Sequence, residues 1–380
     1  MAPRRRTLGR SVVRWSSSTA RAERSARMRR VLRARALLVA ATAASLTLAG
    51  CAAGDDGATS GDTGSSTGTS ADTEADSAGD AFPVTITDAF GETTIDAAPQ
   101  RVVTWGWGST DAAIALGVVP VAMPYQGYGG DADGVLPWVR EAVDELGAEL
   151  PTVLPDSGDD VPYEAISAAD PDLVLAPYSG LTQEQYDTLS AIAPVVAYPD
   201  QPWATPWRDI VTITGEALGR TAEAEQVLTG IDEQIATAAA AHPEFQGKTL
   251  AAVWDVGTTF YVYSDADPRV EFMLDLGFDP APSVTALDTD ESTFYFTLSY
   301  ERLDELTSDV LVAYADSDES LQSFLDAPYA QVMGQVSDGA VAGLVGTSLI
   351  ASVSPPTALS LPWGLDDTVD ALAKAAAAAG

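Results

Sequence analysis

Two series of β-type runs alternating with helix-type runs, a long helical stretch between them, and short blocks that recur from one series to the other predict an α/β protein of two similar lobes. The first series places strands at 101–105, 118–123, 173–176 and 195–197, with helices at 109–116, 136–146 and 182–192. The second places strands at 250–254, 310–313 and 340–343, with helices near 270–276, 300–306, 321–336 and 365–378. Alternation at this spacing implies parallel sheets with helical crossovers.

Between the series, residues 207–241 read as helix except at Gly219. Thr205 is expected as an N-cap with Pro206 at the first position, and Gly219 as the stop. Thr221 is expected to cap a second helix reaching about Ala241, some 32 Å long at 1.5 Å per residue and so long enough to span a domain.

The recurrence has two parts. Trp105-Gly-Trp-Gly108-Ser109-Thr110 matches Trp254-Asp-Val-Gly257-Thr258-Thr259, an offset of 149. Tyr163-Glu164-Ala-Ile166 with Asp172-Leu-Val-Leu-Ala176 matches Tyr300-Glu301-Arg-Leu303 with Asp309-Val-Leu-Val-Ala313, an offset of 137. Both matches occur in the same order, which favours two similar lobes.

The 380 residues carry 20 Lys and Arg against 55 Asp and Glu, but 12 of the basic residues and only Glu23 precede position 50. From residue 51 onward 8 basic face 54 acidic side chains, a net charge of −46, which excludes a nucleic-acid groove or a polybasic membrane patch. Cys51 is the only cysteine, so neither an intrachain disulfide nor a cysteine-based zinc site can form. An Arg-rich stretch ends at Arg35, an apolar run covers 36–48, and Leu48-Ala49-Gly50-Cys51 closes it. That order describes an export signal, too short for a membrane-spanning helix. Its last four residues resemble a bacterial lipobox, which implies cleavage before Cys51 and lipidation of its thiol. Translation is expected to begin at Met28 rather than Met1, which leaves a compact Met28-Arg29-Arg30 start. Residues 52–81, almost all Ala, Gly, Ser, Thr and Asp, read as a tether reaching ~30 Å from the membrane. The folded part is expected from Phe82.

Residues 105–111 follow a strand and open a helix, as a dinucleotide fingerprint does, but Asp111 stands where the third glycine belongs and would repel a pyrophosphate. Asp111 reads instead as complementing the helix dipole. The single histidine, His242, is far from any candidate nucleophile, and there is no His cluster for a metal. Aromatic residues gather at predicted strand ends: Trp105, Trp107, Tyr125, Tyr128, Tyr178, Tyr198, Trp254, Tyr261, Tyr263, Tyr295 and Tyr314. Ligands of α/β sheets bind at the carboxyl ends of strands, so all but Tyr198 are carried forward as ligand candidates, with core packing the alternative for each. Arg269, in Asp265-Ala-Asp-Pro-Arg269, would contact an anionic or chelating oxygen or else pair with Asp265 or Asp267. Glu164 and Glu301 occupy equivalent places near two helix starts; capping explains them singly, and the duplication suits two basic pockets on a two-fold partner.

From about Val84 onward the chain resembles the iron-siderophore substrate-binding proteins of ABC importers, the class of the ferrichrome and vitamin B12 binders. The resemblance is carried by Pro99-Gln100-Arg101-Val102-Val103, Gly108-Ser109-Thr110-Asp111-Ala112, Ala169-Asp170-Pro171-Asp172-Leu173-Val174-Leu175, Ile192-Ala193-Pro194-Val195-Val196 and Leu298-Ser299-Tyr300-Glu301. It implies two Rossmann-like α/β lobes joined by a single long helix, with the ligand cleft between the lobes. Boundaries follow: a lipoprotein signal over 1–50, a lipidated tether over 51–81, a first lobe over 82–220, a connecting helix over 221–243 and a second lobe over 244–380. It also implies that Glu164 and Glu301 dock on arginines of the permease. Pro162 departs from the polar residue usual two places before the first of these glutamates.

The expected ligand is a ferric siderophore, with iron carried as cargo and no protein cofactor or metal ligand. A trihydroxamate, neutral or cationic, suits an acidic and aromatic setting better than an anionic tris-catecholate. The expected molecule is a monomer on the extracytoplasmic face of the cell membrane and not an enzyme. The rival expectation is an exported α/β hydrolase using paired carboxylates.

Overall fold

The computed structural model describes residues 81–158, 160–289 and 292–379; the expected signal, Cys51 and nearly all of the expected tether lie outside them. Strands β1 (Val84–Asp88) and β2 (Gly91–Ile95) form an antiparallel hairpin that the sequence reading did not anticipate. The Asp88 carboxylate accepts the amides of Phe90 and Gly91 across the turn and that of Ala197 at 3.0 Å, which ties the hairpin to the first sheet.

That sheet has the order β5-β4-β3-β6-β7, built from β3 (Val102–Thr104), β4 (Ala122–Met123), β5 (Thr152–Val153), β6 (Leu173–Leu175) and β7 (Val195–Val196). Every pairing is parallel, as predicted. Strands β3 and β6 are buried throughout, which is why β6 reads as an unbroken apolar run and β3 as one up to Thr104. The crossovers carry α1 (Ser109–Ala115), α2 (Pro137–Leu146), α3 (Tyr163–Ala168) and α4 (Gln183–Ser190).

Helices α5 (Trp207–Ala217) and α6 (Thr221–Ala241) follow, broken at Gly219 as predicted. Gly219 has φ +63°, and a Cβ there would stand 2.6 Å from the Phe82 ring, so both backbone and packing require glycine. The expected caps differ. Thr205 is buried and its hydroxyl donates to the Pro177 carbonyl at 2.6 Å, so Pro206 takes the cap position of α5; Thr221 is the first residue of α6, behind Arg220.

The second sheet runs β11-β9-β8-β12-β13, with β10 also beside β8. Its strands are β8 (Thr249–Asp255), β9 (Phe260–Tyr263), β10 (Asp279–Pro280), β11 (Tyr295–Thr297), β12 (Val310–Ala315) and β13 (Val341–Val345). Strands β10, β12 and β13 run parallel to β8, but β9 is antiparallel to both of its neighbours, β8 and β11, so this sheet is mixed rather than parallel. Helices α7 (Pro268–Asp275), α8 (Pro282–Leu287), α9 (Asp318–Asp326), α10 (Gly334–Asp338), α11 (Thr347–Val353) and α12 (Ser360–Ala378) surround it, with a 3₁₀ helix at Tyr300–Glu305. The helix expected over 321–336 is two pieces. Ala327, held extended before Pro328, ends α9, because a residue preceding proline is disfavoured in the α conformation.

The two lobes are alike where the second matched block falls. Asp172 accepts the Gln100 and Arg101 amides, and Asp309 accepts the Thr249 amide, each fixing β6 to β3 or β12 to β8. The first block is one residue out of register. Val102 pairs with Leu173, whereas Leu250 pairs with Val310, so Trp105 corresponds to Val253 and Trp254 to Gly106. A one-residue slip moves a side chain to the opposite face of a sheet. Beyond the matched glycines the chain enters α1 in one lobe and the β8–β9 hairpin in the other.

One buried cluster, including Val102, Leu173, Trp207, Ile231, Leu250, Val312 and Leu361, is shared by both sheets with α5, α6 and α12. A second joint lies at residues 347–363, which follow the second sheet in sequence but pack Ala351, Leu359 and Trp363 against Ile114 and Trp138 of the first. There Ser348 donates to the Gly129 carbonyl at 2.8 Å, and the Trp107 indole donates to the Pro355 carbonyl at 3.0 Å. Gly129 has φ +79°, and a Cβ would lie 2.6 Å from that of Ala351, so glycine permits this approach. Among the described residues no helix is long and apolar enough to cross a membrane.

Candidate functional site

Register explains how aromatics distant in sequence become neighbours. Tyr261 pairs with Trp254 across β9 and β8, and Trp254 pairs with Tyr314 across β8 and β12, so the three stand side by side on one face. One step away along the strands Tyr295 pairs with Tyr263 on that same face. Ring centroids are 6.1 Å apart for Trp254 and Tyr314, 5.7 Å for Tyr263 and Tyr314, and 5.5 Å for Tyr261 and Tyr295.

Arg269 reaches this wall from α7. Its guanidinium lies 4.0 Å above the Tyr263 ring, and its Nε is 2.7 Å from Asp267, which also caps α7 by accepting the Arg269 amide. Burial works against the Arg269 charge, but Asp267, Tyr263 and Tyr314 outweigh it and hold its pKa above the ordinary value. Burial pushes the Asp267 carboxyl up, against Arg269. The Tyr263 hydroxyl is pushed up to about 12, mainly by burial, so it remains a donor. The other Asp267 oxygen and the Tyr314 hydroxyl are buried without partners among the described residues. Of the two expectations for Arg269, the pairing with Asp267 is the one present, and the side chain lies against Tyr263 of the aromatic wall.

The first lobe supplies two residues to this region. Tyr128, 41 % exposed in a glycine-rich loop after β4, donates its hydroxyl to Asp316 at 2.9 Å and lies 6.3 Å from the Trp254 ring. Tyr178, beyond β6, is raised in pKa by burial and feels the Arg269 and Asp267 charges across the lobes. The Tyr178 and Trp203 rings meet edge to face, with centroids 5.6 Å apart. Trp203 escaped the sequence reading; it is 49 % exposed at φ +60°, and no strand pattern precedes it. Asp316, one residue beyond β12, was likewise hidden among the many carboxylates.

Other candidates lie apart from the wall. Trp105 is half-buried against the outer core of the first sheet, Trp107 is engaged with Pro355, and Tyr125 packs over Gly134. Tyr198 is core, with its hydroxyl on the Leu181 carbonyl. Asp111 sits in the first turn of α1 as expected, but it is buried and accepts Trp138 Nε1 at 2.6 Å and the Thr357 hydroxyl at 2.5 Å. Its role is therefore to join the lobes as well as to complement a dipole. His242 bonds Glu244 and stacks on Phe245 at a helix end. Glu164 and Glu301 are both exposed in first helical turns; Ser299 caps the second of these, while Pro162 leaves the first without a side-chain cap.

Two α/β sheets about a shared helical core, with an aromatic wall that includes the carboxyl ends of β8 and β12, define a solute-binding protein. The chain belongs to the periplasmic binding protein family, whose profile matches residues 102–342. It is similar to the Streptococcus pneumoniae TIGR4 iron-uptake protein PiaA, solved in complex with ferrichrome, with 36 % identity, a TM-score of 0.70, and coverage of 78 % of this chain and 99 % of that one. A probable siderophore-binding lipoprotein of Bacillus subtilis, YfiY, is 28 % identical over 233 residues, 60 % of this chain and 67 % of YfiY. The ferric enterobactin-binding protein FepB of Escherichia coli is 28 % identical over 165 residues, 41 % of this chain and about half (49 %) of FepB. These relatives are transport proteins, not enzymes, and the hydrolase alternative draws no support from them.

Proposed function

We propose that this chain captures a ferric siderophore between its lobes and passes it to an ABC permease, with a trihydroxamate the favoured guest. The observation that carries this reading is the Tyr261–Trp254–Tyr314 row, with Tyr128 set across it from the other lobe. The likeness to PiaA, whose structure holds ferrichrome, supports the hydroxamate choice. Charge supports it too: among the described residues Arg269 is the cation named at the wall and it is already paired with Asp267, so a tris-catecholate's three negative charges would go largely uncompensated.

In this reading Trp254, Tyr261, Tyr263, Arg269, Tyr295, Tyr314, Tyr128 and Tyr178 contact the guest, while Trp105, Trp107 and Tyr125 act from the cleft margin. Glu164 and Glu301, exposed on separate lobes, dock on basic pockets of the permease. Cys51 carries the lipid that keeps a monomeric receptor on the outer face of the cell membrane. The lobes span 82–220 and 244–380 with 221–243 connecting them.

The test is a titration of the protein with ferrichrome and with ferric enterobactin, followed by tryptophan fluorescence. Ferrichrome should quench saturably at one equivalent, and Trp254→Phe should remove much of the signal. Saturable quenching by ferric enterobactin alone would overturn the hydroxamate assignment. Quenching by no ferric chelate would overturn the siderophore reading.

A further inference from the structure

The charged pair beside the aromatic wall hides its anion more fully than its cation. Side-chain exposure is 20 % for Arg269 and 1 % for Asp267, so solvent reaches the arginine but hardly the carboxylate. Both donors that hold Asp267 belong to residue 269: its amide donates to Oδ1 at 2.9 Å and its Nε at 2.7 Å. With a cation on that oxygen the carboxyl is ionised at neutral pH, although burial raises its pKa. Its other oxygen, Oδ2, is buried without a hydrogen-bond partner among the described residues, so no second donor shares the charge.

The two charges act on the same rings with opposite signs. Tyr263 and Tyr314 of the second lobe and Tyr178 of the first each feel Arg269 one way and Asp267 the other. A free guanidinium there would present a fork of donors suited to a carboxylate. Tied to Asp267 through Nε, it presents a pair with no net charge.

We infer that Asp267 sets the charge selectivity of the cleft: by neutralising Arg269 it admits neutral hydroxamate chelates and turns away those that carry carboxylates. The inference rests on the ferric-hydroxamate reading and assigns the preference to a positioning residue, one that acts on the guest through Arg269. Such rejection comes from a charge that opposes the wrong guest rather than from an added contact to the right one.

The test titrates the protein with ferrichrome and with ferrichrome A, a cyclic-peptide trihydroxamate that carries carboxylates, following tryptophan fluorescence in about 0.15 M salt to screen the distant acidic surface. The native protein should prefer ferrichrome by about tenfold or more, and Asp267→Asn should raise the affinity for ferrichrome A relative to ferrichrome by about tenfold. Asparagine is a favoured helix cap and places its amide nitrogen where Oδ2 already lacks a partner; Asp267→Ser, another favoured cap, serves if the first variant does not fold. Asp265→Asn removes the same charge from an exposed position and should move the ratio by less than about twofold. An unchanged ratio in the folded Asp267 variant, an equal rise in Asp265→Asn, or a native protein that binds ferrichrome A as well as ferrichrome or better overturns the inference and leaves the cleft reading intact. If the native protein binds neither guest, the hydroxamate reading falls and the inference with it.

Discussion

Asp111 shows how far one side chain can exceed the role its position suggests. Burial pushes its carboxyl up to about 6 from 3.8, against the pull of the Thr357 and Trp138 donors. A folded-state pKa above the unfolded one means the native state binds the proton more tightly, so this site favours folding below about pH 4 and loses that advantage as pH rises through 6. A rise of that size corresponds to about 3 kcal/mol. Asp111→Asn keeps an oxygen for both donors and removes the buried charge. The variant should melt higher than the native protein at pH 7.5, with the gap closing toward pH 4.5. An equal gap at both pH values would refute this. Tyr128→Phe, by contrast, touches exchange of the guest: losing the hydrogen bond to Asp316 should cost about 1 kcal/mol and speed release of ferrichrome roughly fivefold in stopped-flow fluorescence.

At the scale of the element, β3, β6, β8, β12, α5 and α6 were legible because each is an apolar run or a helical period, and all but β12 have a glycine or proline close by. The β1–β2 hairpin was not, since its short alternating strands hold several threonines and its anchor, Asp88, acts through Ala197 more than a hundred residues away. The aromatic wall was legible residue by residue but not as a wall. Its row depends on inter-strand register, and the tempting match of Trp105 with Trp254 is one residue out of step. Trp203 and Asp316 had no pattern to mark them, being a loop residue and one acid among many. The Gly129 loop offers a test of an element's packing: Gly129→Ala combines a left-handed backbone with a contact at 2.6 Å and should destabilise by more than about 1 kcal/mol in urea unfolding. An unchanged midpoint would show that the loop yields at no cost.

For the whole molecule, the acidic balance and the duplicated block pointed to two lobes and a small guest, and membership of the periplasmic binding protein family agrees. The docking role of the glutamates is checked by reversing both charges: Glu164→Lys with Glu301→Lys should leave ferrichrome affinity within about twofold and abolish ferrichrome-dependent growth of cells that rely on this importer. Loss of growth caused by lost binding, or growth unaffected, would count against docking.

The last stretch of the chain also bears on how the molecule comes together. Ile114 and Trp138 belong to the first sheet's helices, yet part of their apolar cover, Ala351 with Leu359 and Trp363, arrives from residues 347–363. As the chain is made from its amino end, that oily surface stays bare until the stretch from residue 347 onward follows. A chain stopped short of residue 347 should therefore be sticky and protease-sensitive in its opening half, although the break lies in its closing one.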